Sequence, residues 1–364
     1  KITLVADFFN KVVSDRLVNI PLPKQIGFGS IRANFGSLRT RGIELELAAT
    51  ALEVSDFKWD ISLNFTQENM VITELPENEN EKNRINGGLI YDKDAGEYVM
   101  VGGLAEGERP GGIWAFHSLG VYPTDESAAD APRDTKVSGP WQNPPYPQEW
   151  QQQKVGGDMI WEDVDGNGII DDRDLVFMGY KQPDKYGGMT NSFSWKNLSA
   201  RVVMNYALGH VISNGFRARA NGNSRNRVMT ITDAIPEKGL MWWEQGDNAK
   251  YPRYSVASDW DNGKRNHQRY VQAYNDVGVD YGYYTDNSLY ITDGDWLAFR
   301  EVSLSYTIPK NRLQNIASVT LTGGVHNLGY ITGYEGMSPE QYNGAEFGRY
   351  PNPTQYKFGV RVTF

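Results

Sequence analysis

Apolar and polar residues alternate with a period of two along much of the chain, most regularly at its C-terminal end. There Tyr356, Phe358, Val360, Val362 and Phe364 are apolar, while Gln355, Lys357, Gly359, Arg361 and Thr363 are polar or glycine. Successive side chains of a strand point to opposite faces, so this stretch has one apolar face and one that carries two cations. The pattern recurs in Phe57, Trp59, Ile61, Leu63 and Phe65, set against Lys58, Asp60, Ser62, Asn64 and Thr66. It recurs again in Ile43, Leu45, Leu47 and Ala49 around Glu44 and Glu46, and in Leu198, Ala200, Val202, Met204, Tyr206 and Leu208. Further candidate strands lie at 2–9, 98–104, 113–122, 189–195, 302–308 and 317–325, the second and third of these being weaker. The count predicted is ten.

The connections sort by length. Those at 53–56, 107–112, 196–197 and 309–315 are short; those at 20–36, 75–96, 123–183, 214–295 and 331–352 are long. Outer-membrane barrels have short periplasmic turns and long extracellular loops, and about ten tilted residues cross the hydrocarbon layer. With the C-terminus in the periplasm, ten strands assign every short turn to the inside and every long loop to the outside. The fold class predicted is all-β, a transmembrane antiparallel β-barrel. The polar faces hold Glu44, Glu46, Lys58, Asp60, Arg201, Lys357 and Arg361, too many charges for a packed small interior and suited to a wide, wet or plugged lumen. The chain is therefore expected to be the C-terminal part of a barrel that other strands complete. A soluble sandwich is the alternative that the alternation alone leaves open.

Composition narrows the function. A formal net charge of −9 argues against nucleic-acid binding, which rewards clustered Lys and Arg. No run of about 18 apolar residues is present, so no transmembrane helix is expected, which says nothing of strands. Cysteine is absent, excluding thiol chemistry and disulfides. The chain starts at Lys1, already inside a strand-like run, and reads as a mature product or part of something longer.

Several segments carry a family resemblance. They are RGIELEL (41–47), FKWDISLNFT (57–66), GDMIWEDVDGNGIIDDRDLVFMG (157–179), DWLAFREVSLSYTIP (295–309), VHNLGYITGYEGMSPE (325–340) and YPNPTQYKFGVRVTF (350–364). In this ordered combination the chain resembles the C-terminal barrel half of the SusC/RagA family of TonB-dependent outer-membrane transporters. The resemblance implies a 22-stranded barrel around an N-terminal plug that contacts TonB, with a SusD-like surface lipoprotein as lid. It also implies uptake of oligosaccharides or oligopeptides. The closing strand and its terminal Phe364 resemble the feature that barrel-insertion machinery reads.

The sharpest local motif is DVDGNGIIDDRD, residues 163–174. It has the spacing of a twelve-residue calcium loop. Asp163, Asp165 and Asn167 take positions 1, 3 and 5, Gly168 makes the sharp turn, and Ile169 offers its carbonyl. Ile170 is the apolar eighth residue, Asp171 the ninth and Asp174 the twelfth. Calcium takes six to eight hard oxygen ligands, which this segment supplies locally. Position 12 is Asp rather than Glu, and the shorter arm reaches a bidentate pose less easily. The bland reading is a solvated acidic turn held by Asx hydrogen bonds. A second candidate is the aromatic content of 214–295, above all Trp242, Trp243, Tyr251, Tyr254, Trp260, Tyr283 and Tyr284. Aromatic faces stack on sugars and anchor protein interfaces, and the resemblance places such loops against lid and ligand.

No catalytic constellation stands out, since His117, His210, His267 and His326 are scattered. The chain reads as a non-enzyme. Two functions remain: part of an active importer in the outer membrane, with lipid, lid lipoprotein and TonB as partners, or a secreted, calcium-stabilised β-sandwich that binds glycans.

Overall fold

The structure, a computed structural model, describes residues 1–21, 27, 30–34, 36–134, 154–170, 172–215, 244–249, 288–341, 344–346 and 350–364. Eight strands form one antiparallel sheet, here β1 (Ile2–Val13), β2 (Ser37–Val54), β3 (Phe57–Glu74), β4 (Lys185–Trp195), β5 (Leu198–Leu208), β6 (Trp296–Ile308), β7 (Ser318–Thr332) and β8 (Gln355–Thr363). Each pairs with its neighbours in sequence, an up-and-down order without crossovers, and β1 and β8 are the two edges.

The predicted alternation becomes continuous rows across this wall. Ile61 lies opposite Ala49 and Asn191, Val202 opposite Asn191 and Val302, and Val325 opposite Val302 and Tyr356. Leu47, Leu63, Met189 and Met204 make the next row. Asn191 is the polar exception in these apolar rows, and Trp59 Nε1 donates to its Oδ1 at 3.1 Å while stacking on Phe193. The opposite face is polar: Lys58 pairs with Asp60 at 2.9 Å, Ser305 with Thr322 at 2.8 Å and Thr307 with Thr320 at 3.0 Å.

Two candidate strands do not join the wall. Of the 98–104 stretch, Glu97–Val101 pairs with Gly88–Asp92 in a separate hairpin. Of 113–122, Gly112–Phe116 pairs with Leu175–Tyr180, and Ser118–Val121 with Met159–Trp161. Ladders of five residues or fewer are too short to cross a bilayer. The wall therefore has eight strands rather than ten, and 107–112 is no periplasmic turn: Gly107 N–H donates to Ile72 O, and Ile72 N–H to Glu108 O, at the top of β3. The predicted loops 75–96 and 123–183 are parts of one connection between β3 and β4. The sorting by length survives, because the short turns join β2 to β3, β4 to β5 and β6 to β7, and every other connection is long.

Where the core sits rules out the sandwich. Among the described residues, buried apolar clusters are formed by Phe116, Val121, Met159, Trp161 and Ile170; by Ile113, Ala115 and Ile291; and by Leu38, Ile72, Leu75 and Ile85. The first two lie in the outer connections, the third where those connections cover the polar-side top of β2 and β3. Among the described residues no second sheet covers the wall's apolar face. Leu304 is 53% exposed, Phe358 88% and Val360 69%, which in water would be an extended sticky surface.

Candidate metal site

The 163–174 loop is carried by the connection between β3 and β4. Met159–Trp161 enters it, Leu175–Tyr180 leaves it, and both are paired to strands of the same connection. Ile170, the apolar eighth residue, is 1% exposed and packs with Phe116, Met159 and Trp161, so the loop is pinned from beneath. Ile169–Ile170 also pairs in parallel with Arg133–Asp134.

The acidic side chains fold the loop around themselves. Asp163 accepts from Asn167 N–H (Oδ1, 3.2 Å) and Gly168 N–H (Oδ2, 2.8 Å), Asp165 Oδ1 accepts from Asn167 N–H at 3.0 Å, and Asn167 Oδ1 accepts from Ile169 N–H at 2.7 Å. Gly166 and Gly168 have φ of +70° and +78°, the left-handed region that glycine enters without strain. Asp174 closes the loop at the end of the single 3-10 turn Asp172–Asp174, fully buried, its Oδ1 accepting from Val164 N–H at 2.8 Å. Carboxylate oxygens of Asp163, Asp165 and Asp174 lie within 4.8 Å of one another. Three hard, anionic oxygen donors converging at this spacing fit a calcium ion. Asp171 lies outside the described residues.

Groups far away in sequence brace the loop. Tyr98 of the Gly88–Val101 hairpin donates its hydroxyl to Asp165 Oδ2 at 2.7 Å, and the Arg173 guanidinium sits 5.8 Å from the Tyr98 ring. Lys93, in the turn of that hairpin, pairs with Glu162, whose other oxygen meets His117 Nδ1 at 2.6 Å. The Lys93 hydrogen bond holds the Glu162 carboxyl below the usual range against the opposing effect of burial, with His117 adding to it. Tyr98 and Lys93 escaped the sequence reading because nothing local links them to a loop some 67 residues away. The same holds for Arg84 in the charged, Asn-rich 78–84 stretch: it is 3% exposed and bonded to Glu108 at 2.6 Å and 3.0 Å.

Of the other predicted site residues, Phe364 follows β8 at the exposed edge, 83% exposed. Trp242, Trp243, Tyr251, Tyr254, Trp260, Tyr283 and Tyr284 lie outside the described residues. Arg300, which the sequence did not single out, sits where the β6 register slips and joins Glu340 of the last long connection to the wall at 2.6 Å.

The chain is 26% identical over 392 residues to TonB-dependent receptor P39 of Formosa agariphila, matching all of this chain and 34% of that protein. It is 22% identical over 379 residues to TonB-dependent receptor SusC of Bacteroides thetaiotaomicron, matching all of this chain and 30% of that protein. The solved RagAB peptide transporter superposes over all of this chain and 33% of its own, with a TM-score of 0.65 at 19% identity. The chain is SusC-like, a relative of the TonB-dependent receptors. Its wall is that of an outer-membrane β-barrel. This chain spans about a third of the length of the curated receptors it matches. No family model matches it.

Proposed function

We propose that the chain supplies the C-terminal wall and outer loops of an outer-membrane nutrient importer, energised through TonB and capped by a SusD-like lipoprotein. The observation that carries this reading is an eight-stranded sheet whose apolar face has no covering layer among the described residues and whose long connections all fall at one end. In this reading β1 and β8 pair with the remaining strands of the barrel, and a plug fills the lumen behind the polar face. The cargo is an oligosaccharide or an oligopeptide; the RagAB neighbour is described as a peptide transporter. The aromatic residues of 214–295, Trp242 and Trp243 first, form part of the lid and ligand surface. The role proposed is binding and passage rather than catalysis, in keeping with the receptor and transporter names of the proteins it is similar to.

Calcium at Asp163, Asp165, Asn167, the Ile169 carbonyl, Asp171 and Asp174 belongs to the same proposal. Binding to the folded loop alone would stabilise it by about 2.7 kcal/mol at a hundred times the dissociation constant. Three measurements test the reading. Cells lacking the full-length receptor should lose uptake of its cargo, and the Trp242→Ala, Trp243→Ala pair should weaken lid retention while barrel assembly is unchanged. Calorimetry should show calcium heat in the wild type that Asp174→Asn abolishes. Unchanged uptake without the receptor would refute import, and absence of calcium heat up to millimolar concentration would refute the metal.

A further inference from the structure

The lipid-facing side of the wall changes character along one line. On β1 the outward residues Ile2, Leu4, Ala6 and Phe8 give way to Asn10. On β2, Ala49, Leu47, Leu45 and Ile43 give way to Arg41 and Arg39. On β3, Phe57 through Phe65 gives way to Gln67 and Asn69, and on β4 the outward set ends at Lys185. The register aligns these changes: Phe8, Ile43, Gln67 and Lys185 share one row, Asn10, Arg41 and Asn69 the next, and Val12, Arg39 and Val71 the one above. The apolar set of β3 runs from 57 to 65, the length at which a tilted strand crosses the hydrocarbon. The rows above it therefore stand at the depth of the outer headgroups.

The outward aim of the two arginines is fixed by their neighbours. Leu38 and Ile72, the adjacent residues of opposite parity, are buried against Leu75 and Ile85 of the outer connection. Arg39 and Arg41 must then face the other way. Among the described residues neither has a carboxylate partner; Arg41 Nε donates to Asn10 Oδ1 at 3.1 Å. Lys185 lies 3.5 Å from Asp184, with its side chain 41% exposed. The remaining outward positions of these rows are Asn10, Gln67, Asn69, Val12 and Val71, so the rows hold cations, neutral polar groups and two valines, with Asp184 beside Lys185 as the carboxylate at their border. A guanidinium presents paired N–H groups that match phosphate oxygens, and two of them at i and i+2 stand about 7 Å apart on one face.

We propose that Arg39, Arg41 and Lys185 bind the phosphate of an outer-leaflet lipid. The acyl chains lie against the apolar rows beneath, and Asn10, Gln67 and Asn69 complete the polar contacts. A headgroup held this way anchors the wall at a fixed depth on the side of β1 to β4.

The test uses the full-length receptor purified from outer membranes in mild detergent, with retained phosphorylated lipid counted by native mass spectrometry. Each charge near an anionic surface changes affinity about fivefold. Arg41→Gln should therefore lower retention about fivefold, the triple Arg39→Gln, Arg41→Gln, Lys185→Gln about a hundredfold, and Arg41→Lys should restore most of it. Lys11→Gln, which removes an equal charge from the inward face opposite Thr40, should change nothing. Heat-modifiable gel mobility checks that each variant is folded. In nanodiscs the preference should vanish with enzymatically dephosphorylated lipid and survive millimolar inorganic phosphate. The proposal is overturned if the folded triple variant keeps as much phosphorylated lipid as the wild type or if Lys11→Gln loses as much. It is equally overturned if dephosphorylated lipid binds equally or if inorganic phosphate displaces the lipid.

Discussion

The eight-stranded wall and the connection between β3 and β4 are both built of β-strands from similar residues, yet they bury them in opposite senses. In the connection, Phe116, Met159, Trp161 and Ile170 turn inward to a small core and are 2% exposed, 1%, 6% and 1%. In the wall, Leu304, Leu321, Phe358 and Val360 turn outward, and the face behind them is polar. The connection behaves as a protein in water, stabilised by apolar area removed from solvent. The wall has no such interior and needs an apolar solvent on its outer face. Ladder length separates the two regions: the wall strands run from nine to eighteen residues, the connection's paired strands from two to six. Hydrophobic patterning alone does not tell which solvent a strand faces, but patterning together with length does.

The largest expected effect lies in the connection's core. Trp161→Ala removes a buried ring that packs on Phe116 at 6.2 Å between centroids and should cost that region about 3–5 kcal/mol. Limited proteolysis of the intact receptor should then cut the 75–184 connection while the wall stays resistant. Cleavage of the wall as well would show that the two regions are not independent. On the wall, Leu63→Arg should cost about 2–4 kcal/mol in bilayer folding titrations, and Ser62→Arg nearly nothing. The same pair of substitutions in a water-facing sandwich would give a small difference.

That distinction shows how much was legible beforehand. The wall strands were readable because lipid imposes one rule over nine or more residues, as in 57–65, and because loop lengths sort by membrane side. Residues 98–104 and 113–122 misled because a two-sided outer domain also produces alternation, only over shorter runs. The acidic loop was readable from the local spacing of Asp163, Asp165, Asn167, Gly168 and Asp174. Its braces were not: Tyr98 and Lys93 reach it only through tertiary packing. The collar of Arg39, Arg41 and Lys185 becomes visible only once the strand register stacks four separate strands into rows.

The smallest effect concerns pH. Glu162 is held below its usual pKa chiefly by Lys93, so this pairing stabilises the loop fully above the ordinary glutamate value of about 4.3. The stabilisation is lost as pH falls through the lowered folded value. Lys93→Met should weaken that acid sensitivity, leaving the part that His117 supplies, and cost no more than about 1 kcal/mol, since the Lys93 side chain is 53% exposed. Hydrogen exchange of the Gly88–Val101 hairpin at pH 7 and at acid pH would show both effects, and an unchanged acid response in Lys93→Met would exclude this ion pair as the cause.

The central claim is that the apolar face of the wall meets lipid. Single cysteines can be placed at each position from 57 to 66 of this cysteine-free chain within a full-length receptor cleared of any other cysteine, in native outer membranes. The account predicts a period of two: a lipid-soluble maleimide labels 57, 59, 61, 63 and 65, and a membrane-impermeant one labels the even positions once the lumen is opened. Water-soluble labelling of both sets, or protection of the odd set from both reagents, would contradict it.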